Sequence, residues 1–136
     1  MRRPATPDEI ALYEAARAAR DHAYAPYSNF PVGAALLLDD GSVVSGANIE
    51  NASFGLTCCA ERTAVFTAAF GGARGFRAIA VAGHDGLQTL LPCGGCRQVL
   101  SEFAPSIPIV HLHDGAVSVE TLDVLLPDAA SSALLA

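Results

Sequence analysis

Reactive chemistry in this chain concentrates in two phrases, "FGLTCCAERTAVF" at 54–66 and "PCGGCRQ" at 92–98. Cys93 and Cys96 form a C-x-x-C whose thiols converge on one ion when a loop turns back at a helix start, although the same spacing also marks redox centres. A further cysteine from the pair Cys58-Cys59, about 34 residues upstream and also at a helix start, shifts the balance towards a metal. Three thiolates leave one tetrahedral position for water, the arrangement of a catalytic zinc, and the positive end of each helix dipole helps the thiols ionise. Glu61 is then placed to carry protons. Alone it reads as a solvated acid in a first helical turn, where acids are common. Zinc with three thiolates is a net anion, so Arg62, or Arg97 just after Cys96, has work as a donor that withdraws charge from sulfur.

The totals limit what this chemistry serves. A chain of 136 residues suits one domain, 1–136, with a single core. Apolar residues make up 51%, charged ones 16%, and mean hydropathy is +0.36, rich for a small soluble monomer. Self-association that buries apolar surface is expected. No apolar run approaches the roughly 18 residues of a membrane span, and the opening "MRRPATPDEIALYEAAR" has acids where a signal peptide is apolar. The expectation is a cytoplasmic oligomer whose four cysteines are reduced. Net charge is −6 and all eight cations are arginine, a poor supply for polynucleotide binding. A small substrate is expected.

The elements that must position these residues are legible in outline. "TPDE" at 6–9 is a capping box with proline at the first helical position, and its helix runs to about Ala23 with Ile10, Tyr13, Ala16 and Ala23 on one face. Residues 24–31 are a loop, and 32–48 a β-hairpin turning at Asp39-Asp40-Gly41. A helix follows from Cys59 to Phe70, then a strand at 76–83, a helix at 96–103 and a strand at 107–113. A short strand at 116–119 and a helix from Glu120 to Leu126 close the pattern. Strands joined through helices imply parallel pairing in the middle, beside an antiparallel hairpin.

Three ordered blocks, "APYSNFPVGAAL" (25–36), "NIENASFGLTCCAERTA" (48–64) and "PCGGCRQVLSEF" (92–103), resemble the small homotetrameric zinc-dependent cytidine deaminases. The deaminase pattern of ligand-x-Glu followed by Pro-Cys-x-x-Cys makes Cys59, Cys93 and Cys96 the metal ligands and Glu61 the proton carrier, and leaves Cys58 as a small apolar filler. The resemblance implies an α/β fold, a three-layer α/β/α sandwich around a five-stranded mixed sheet. It implies one zinc per subunit and hydrolytic deamination of cytidine and 2′-deoxycytidine to the uridine forms plus ammonia, a reaction of pyrimidine salvage. By matching position, Asn48 and Glu50 bind the ribose, with Glu50 accepting from the 3′-hydroxyl. Phe30 stacks near the pyrimidine, Ala60 offers a backbone N–H to the base, and Ala52 and Phe54 reach into a neighbouring subunit's site. The family pattern after "LLP" has an aromatic where this chain has Ala130.

Three rival readings stand beside this one. A deaminase of a nucleoside antibiotic shares the chemistry, and the "NIEN" block argues instead for an ordinary ribose. A structural zinc module needs a fourth protein ligand, for which His111 and His113, on one strand face, are candidates. A dithiol oxidoreductase leaves Cys59 and Glu61 without a purpose.

Overall fold

The computed structural model describes residues 2–131. Helix α1 spans Pro7–Ala19. Its start is the expected capping box: Glu9 N–H donates to Thr6 Oγ1 at 3.3 Å, and Thr6 N–H donates to Glu9 Oε1 at 2.9 Å. The helix ends earlier than Ala23, tightening into a 3₁₀ turn at Arg20–His22. Its buried face is Leu12, Tyr13, Ala16 and Ala19, whereas Ile10 is exposed.

Strands β2 (Gly33–Leu38) and β3 (Val43–Ala47) form the hairpin, with Gly41 at φ +89°, where a side chain is disfavoured. Helix α2 (Ala60–Phe70), strand β4 (Phe76–Ala82), helix α3 (Gly94–Phe103) and strand β5 (Pro108–His113) follow. Strand β6 extends over Ala116–Thr121, so the last helix, α4, is only Leu122–Leu125.

The sheet has six strands among the described residues, which corrects the expectation of five. The extra strand, β1, is Arg3–Pro4. Two residues, one a proline, have no periodicity to read, and the strand exists through antiparallel pairing with Val119 and Ser118. Taking β1 as the first edge, the order is β1-β6-β5-β4-β2-β3. Only β4 and β5 pair in parallel. The hairpin swings β3 to the outside, so β2 lies antiparallel to both β3 and β4.

That topology places the site. Both β3 and β4 oppose β2, so they run in the same direction and the segments leaving them emerge at one end of the sheet. Those segments lead into α2 and α3, so two helix N-termini meet there. Alternation along the strands divides the apolar residues. Ala34, Leu36, Ile79 and Ile109 pack with Val65 of α2, Leu100 of α3 and Leu122 of α4. Ala35, Ala80, Val110 and Val119 pack with Leu12, Tyr13 and Ala16 of α1. Strands buried on both faces are apolar throughout rather than alternating.

Gly46 lets α2 sit close to β3. A Cβ there would lie 2.5 Å from Ala60 O and 2.5 Å from Ala64 N, both backbone atoms. Gly46→Ala is therefore expected to push the start of α2 off the sheet and to cost about 2 kcal/mol, a fall in melting temperature of roughly 5–10 °C. Thermal unfolding followed by circular dichroism checks this, and a midpoint within about 2 °C of the parent refutes it.

Candidate active site

Cys59 and Cys93 are the N-caps of α2 and α3, and neither uses its side chain to cap the helix. Both thiols are thus free to face the gap between the helix starts. Cys96 sits one turn into α3 and is fully buried. The Cys59 and Cys93 sulfurs are 3.7 Å apart, those of Cys93 and Cys96 3.5 Å, and all three lie within 4.8 Å of one another. They form the only potential metal-binding cluster of three or more such side chains among the described residues. His111 is engaged elsewhere: it is buried, and its Nε2 accepts from Arg2 Nε at 3.2 Å. Cys58 is half-buried, with its backbone paired to Ile49.

Charge around the sulfurs favours thiolate at Cys59. A hydrogen bond from Cys96 is the largest influence and Arg62 also contributes, so its pKa falls to about 5 despite partial burial. Cys96 moves upward for the complementary reason, since it donates to Cys59 and is itself buried. Arg62 Nη2 donates to Cys59 Sγ at 3.1 Å. Arg97 points away from the sulfurs: its Nε donates to Pro92 O at 2.8 Å and its Nη1 to Leu125 O at 3.0 Å. Its observed contacts tie the start of α3 to α4.

A cleft of about 360 Å³ opens beside the thiols, lined by Phe30, Asn48, Glu50, Cys59, Ala60, Glu61 and Cys93. Ser28, Val32, Thr57, Val81, Leu90 and Leu91 complete its wall. Glu61 is 4% exposed. Burial is the main cause that raises its pKa to about 7, with the Cys59 charge adding to it. A carboxyl with such a pKa is suited to both taking and giving a proton near neutrality. Ala60 is the first residue of α2, so its N–H has no intrahelical acceptor.

The opposite wall is held by side chain to backbone bonds. Asn48 is buried, its Oδ1 accepting from Val32 N–H at 2.8 Å and its Nδ2 donating to Phe30 O at 2.9 Å. One amide hydrogen and one lone pair remain for a ligand. The Glu50 carboxylate receives N–H groups of Tyr27 and Ser28 and the Ser28 hydroxyl, which lower its pKa, the hydroxyl most. Ala52 and Phe54 lie outside this cleft. Phe54 is 74% exposed, its ring edge-on to Tyr27 at 5.8 Å. Ser28 and Thr57 escape a reading by residue type, since hydroxyl residues are ordinary in loops.

The model of the cytidine and deoxycytidylate deaminase zinc-binding region matches residues 7–112. The chain belongs to that deaminase family. A cytidine deaminase of Halalkalibacterium halodurans is 52% identical to it over 124 residues, which cover 90% of this chain and 93% of the relative. One of Sporosarcina psychrophila is 47% identical over 88% of this chain and 89% of its own. The crystal structure of cytidine deaminase from Burkholderia pseudomallei matches with a TM-score of 0.84 at 53% identity, covering 89% of this chain and 98% of that one.

The family's zinc fits the residues present. An ion about 2.3 Å from each of three tetrahedrally disposed sulfurs spaces them about 3.8 Å apart, close to the two shorter separations observed. Zinc is the cofactor of this deaminase centre. Arg62→Gln removes the donor to Cys59 and is expected to weaken zinc retention against a chelator about tenfold, with a parallel loss of turnover. Competition with a chromophoric chelator measures the first. Unchanged retention together with an unchanged rate would dispose of this role.

Proposed function

We propose that this chain is a zinc-dependent hydrolase that converts cytidine and 2′-deoxycytidine to uridine and 2′-deoxyuridine with release of ammonia, in pyrimidine salvage. The observation that carries the reading is one cleft that joins three convergent thiols, a buried Glu61 and, on the far wall, the Glu50 and Asn48 pair. Close relatives named cytidine deaminase support the substrate.

Cys59, Cys93 and Cys96 hold zinc, which when bound supplies Lewis-acid activation of water for attack at C4 of the pyrimidine. Glu61 takes the proton released by the attacking water and delivers it to N3. The same carboxyl then takes the proton of the new C4 hydroxyl and passes it to the exocyclic amino group, so that the C4–N bond breaks, the C4 carbonyl forms and ammonia departs. Its burial excludes bulk water from that transfer. Phe30 meets the face of the base, and the Ala60 N–H donates to its edge. Glu50 and Asn48 bind the sugar, and a carboxylate placed to meet a hydroxyl rejects analogues that lack it. With net charge −6, the substrate is a free nucleoside rather than a polynucleotide.

The working unit is a cytoplasmic homotetramer of one domain each, 1–136, with the layering of an α/β/α sandwich. Exposed Phe54, Leu56, Phe66 and Phe70 support burial against other copies, and Phe54 and Ala52 then contribute to a neighbour's cleft. The four cysteines without disulfides accord with a reducing compartment. Loss of cytidine absorbance, measured together with metal analysis, tests the proposal. Zinc-loaded protein that leaves both nucleosides unchanged would overturn it.

A further inference from the structure

We infer that Ser28 is a positioning residue that sets how the cleft reads the sugar, by holding Glu50 with its hydroxyl and leaving that carboxylate room for one more donor. The inference rests on the assignment of Glu50 to the sugar.

Glu50 Oε1 accepts from Tyr27 N–H at 2.9 Å and from Ser28 N–H at 3.1 Å. Its Oε2 accepts from the Ser28 hydroxyl. A carboxylate has about four acceptor sites, so three are filled from the chain itself and the remaining one lies on Oε2. The hydroxyl has a second partner, accepting from Phe30 N–H at 3.0 Å. Ser28 therefore ties the sugar-side carboxylate to the backbone that presents the base-side aromatic. The turn that allows this contains Asn29 at φ +53°, a left-handed conformation that asparagine tolerates. Ser28, Phe30 and Glu50 all line the same cleft.

Removing the hydroxyl has a definite consequence. The Glu50 side chain keeps its backbone donors on Oε1, but Oε2 becomes free to hydrate and to rotate off the sugar. A substrate whose 3′-hydroxyl donates to Oε2 loses that alignment, while one lacking the hydroxyl has nothing to lose there. The effect belongs mainly in KM, because the hydrogen bonds of Ser28 go to Glu50 and Phe30 rather than to the thiols or Glu61.

The test compares cytidine with 3′-deoxycytidine on zinc-loaded enzyme. Ser28→Ala is expected to lower kcat/KM for cytidine about tenfold, mostly through KM, and for 3′-deoxycytidine by about twofold or less. Ser28→Thr, which keeps the hydroxyl, is expected to restore most of the difference. Equal losses on both substrates would mean that Ser28 serves only the loop and would overturn the inference. Glu50→Gln on the same pair separates it from the reading it rests on. If Glu50→Gln erases the preference for the 3′-hydroxyl while Ser28→Ala preserves it, the role of Ser28 alone falls. If Glu50→Gln also leaves the preference intact, Glu50 does not read the sugar and both fall.

Discussion

Replacing Glu61 by glutamine is expected to leave fold and zinc content unchanged and to lower turnover of cytidine about a thousandfold or more. Glutamine matches the shape of the buried side chain but cannot take up and release a proton at neutral pH. On the proposed mechanism one carboxyl serves two transfers, first to N3 and then to the leaving amino group, so the loss should be large. Burial is what suits Glu61 to both, since it lifts the pKa to about 7, where neither protonation state is rare. Steady-state rates on samples of matched metal content check the prediction. A variant with even a tenth of the parent rate would refute the assignment of proton transfer to this residue.

Cys93→Ala should fail differently. Cys93 stands at the N-cap position of α3 and its thiol approaches both other sulfurs, so its loss leaves two donors on separate helix starts. Zinc is expected to fall below about a tenth of an equivalent, and activity with it. An ion held at a thousand times its dissociation constant stabilises the native state by about 4 kcal/mol, so the melting temperature should drop by roughly 15 °C. Chelator supplies the control: it should lower the parent's midpoint towards the variant's and leave the variant unmoved. Parent-like zinc content in the variant would remove Cys93 from the ligand set.

The sequence was most readable where chemistry is local. Thr6 and Glu9 announce a helix start because the capping box is built from neighbouring residues, and both of its bonds form. The ligand cysteines were legible for a related reason, as thiols gathered at two helix starts suit a metal far better than they suit a core. Boundaries set by tertiary contact were not. Nothing in "RAARDHA" signals that the helix tightens at Arg20, where the side chain reaches Gly83 O and Asp85 across the fold. Strand β6 extends through Thr121 by pairing with Pro108, which takes the residues expected to begin the last helix. Arg97 follows a ligand much as Arg62 does, yet its guanidinium meets backbone carbonyls, a choice made by where α4 lies. Ile10 fits the apolar period of α1 and is nevertheless exposed, because Leu12 and Tyr13 fill the contact with the sheet.

The thiols come from segments that follow two different strands, and this has a bearing on biogenesis. Cys93 and Cys96 are near enough in the chain to grip an ion loosely at any stage, but Cys59 joins them only once β3 and β4 lie on either side of β2. Closing that long loop is entropically costly and is recovered only when the strands pair. Tight metal capture is accordingly a late event in folding, and a nascent chain released before its sheet assembles competes poorly for zinc with the other thiols of the cell.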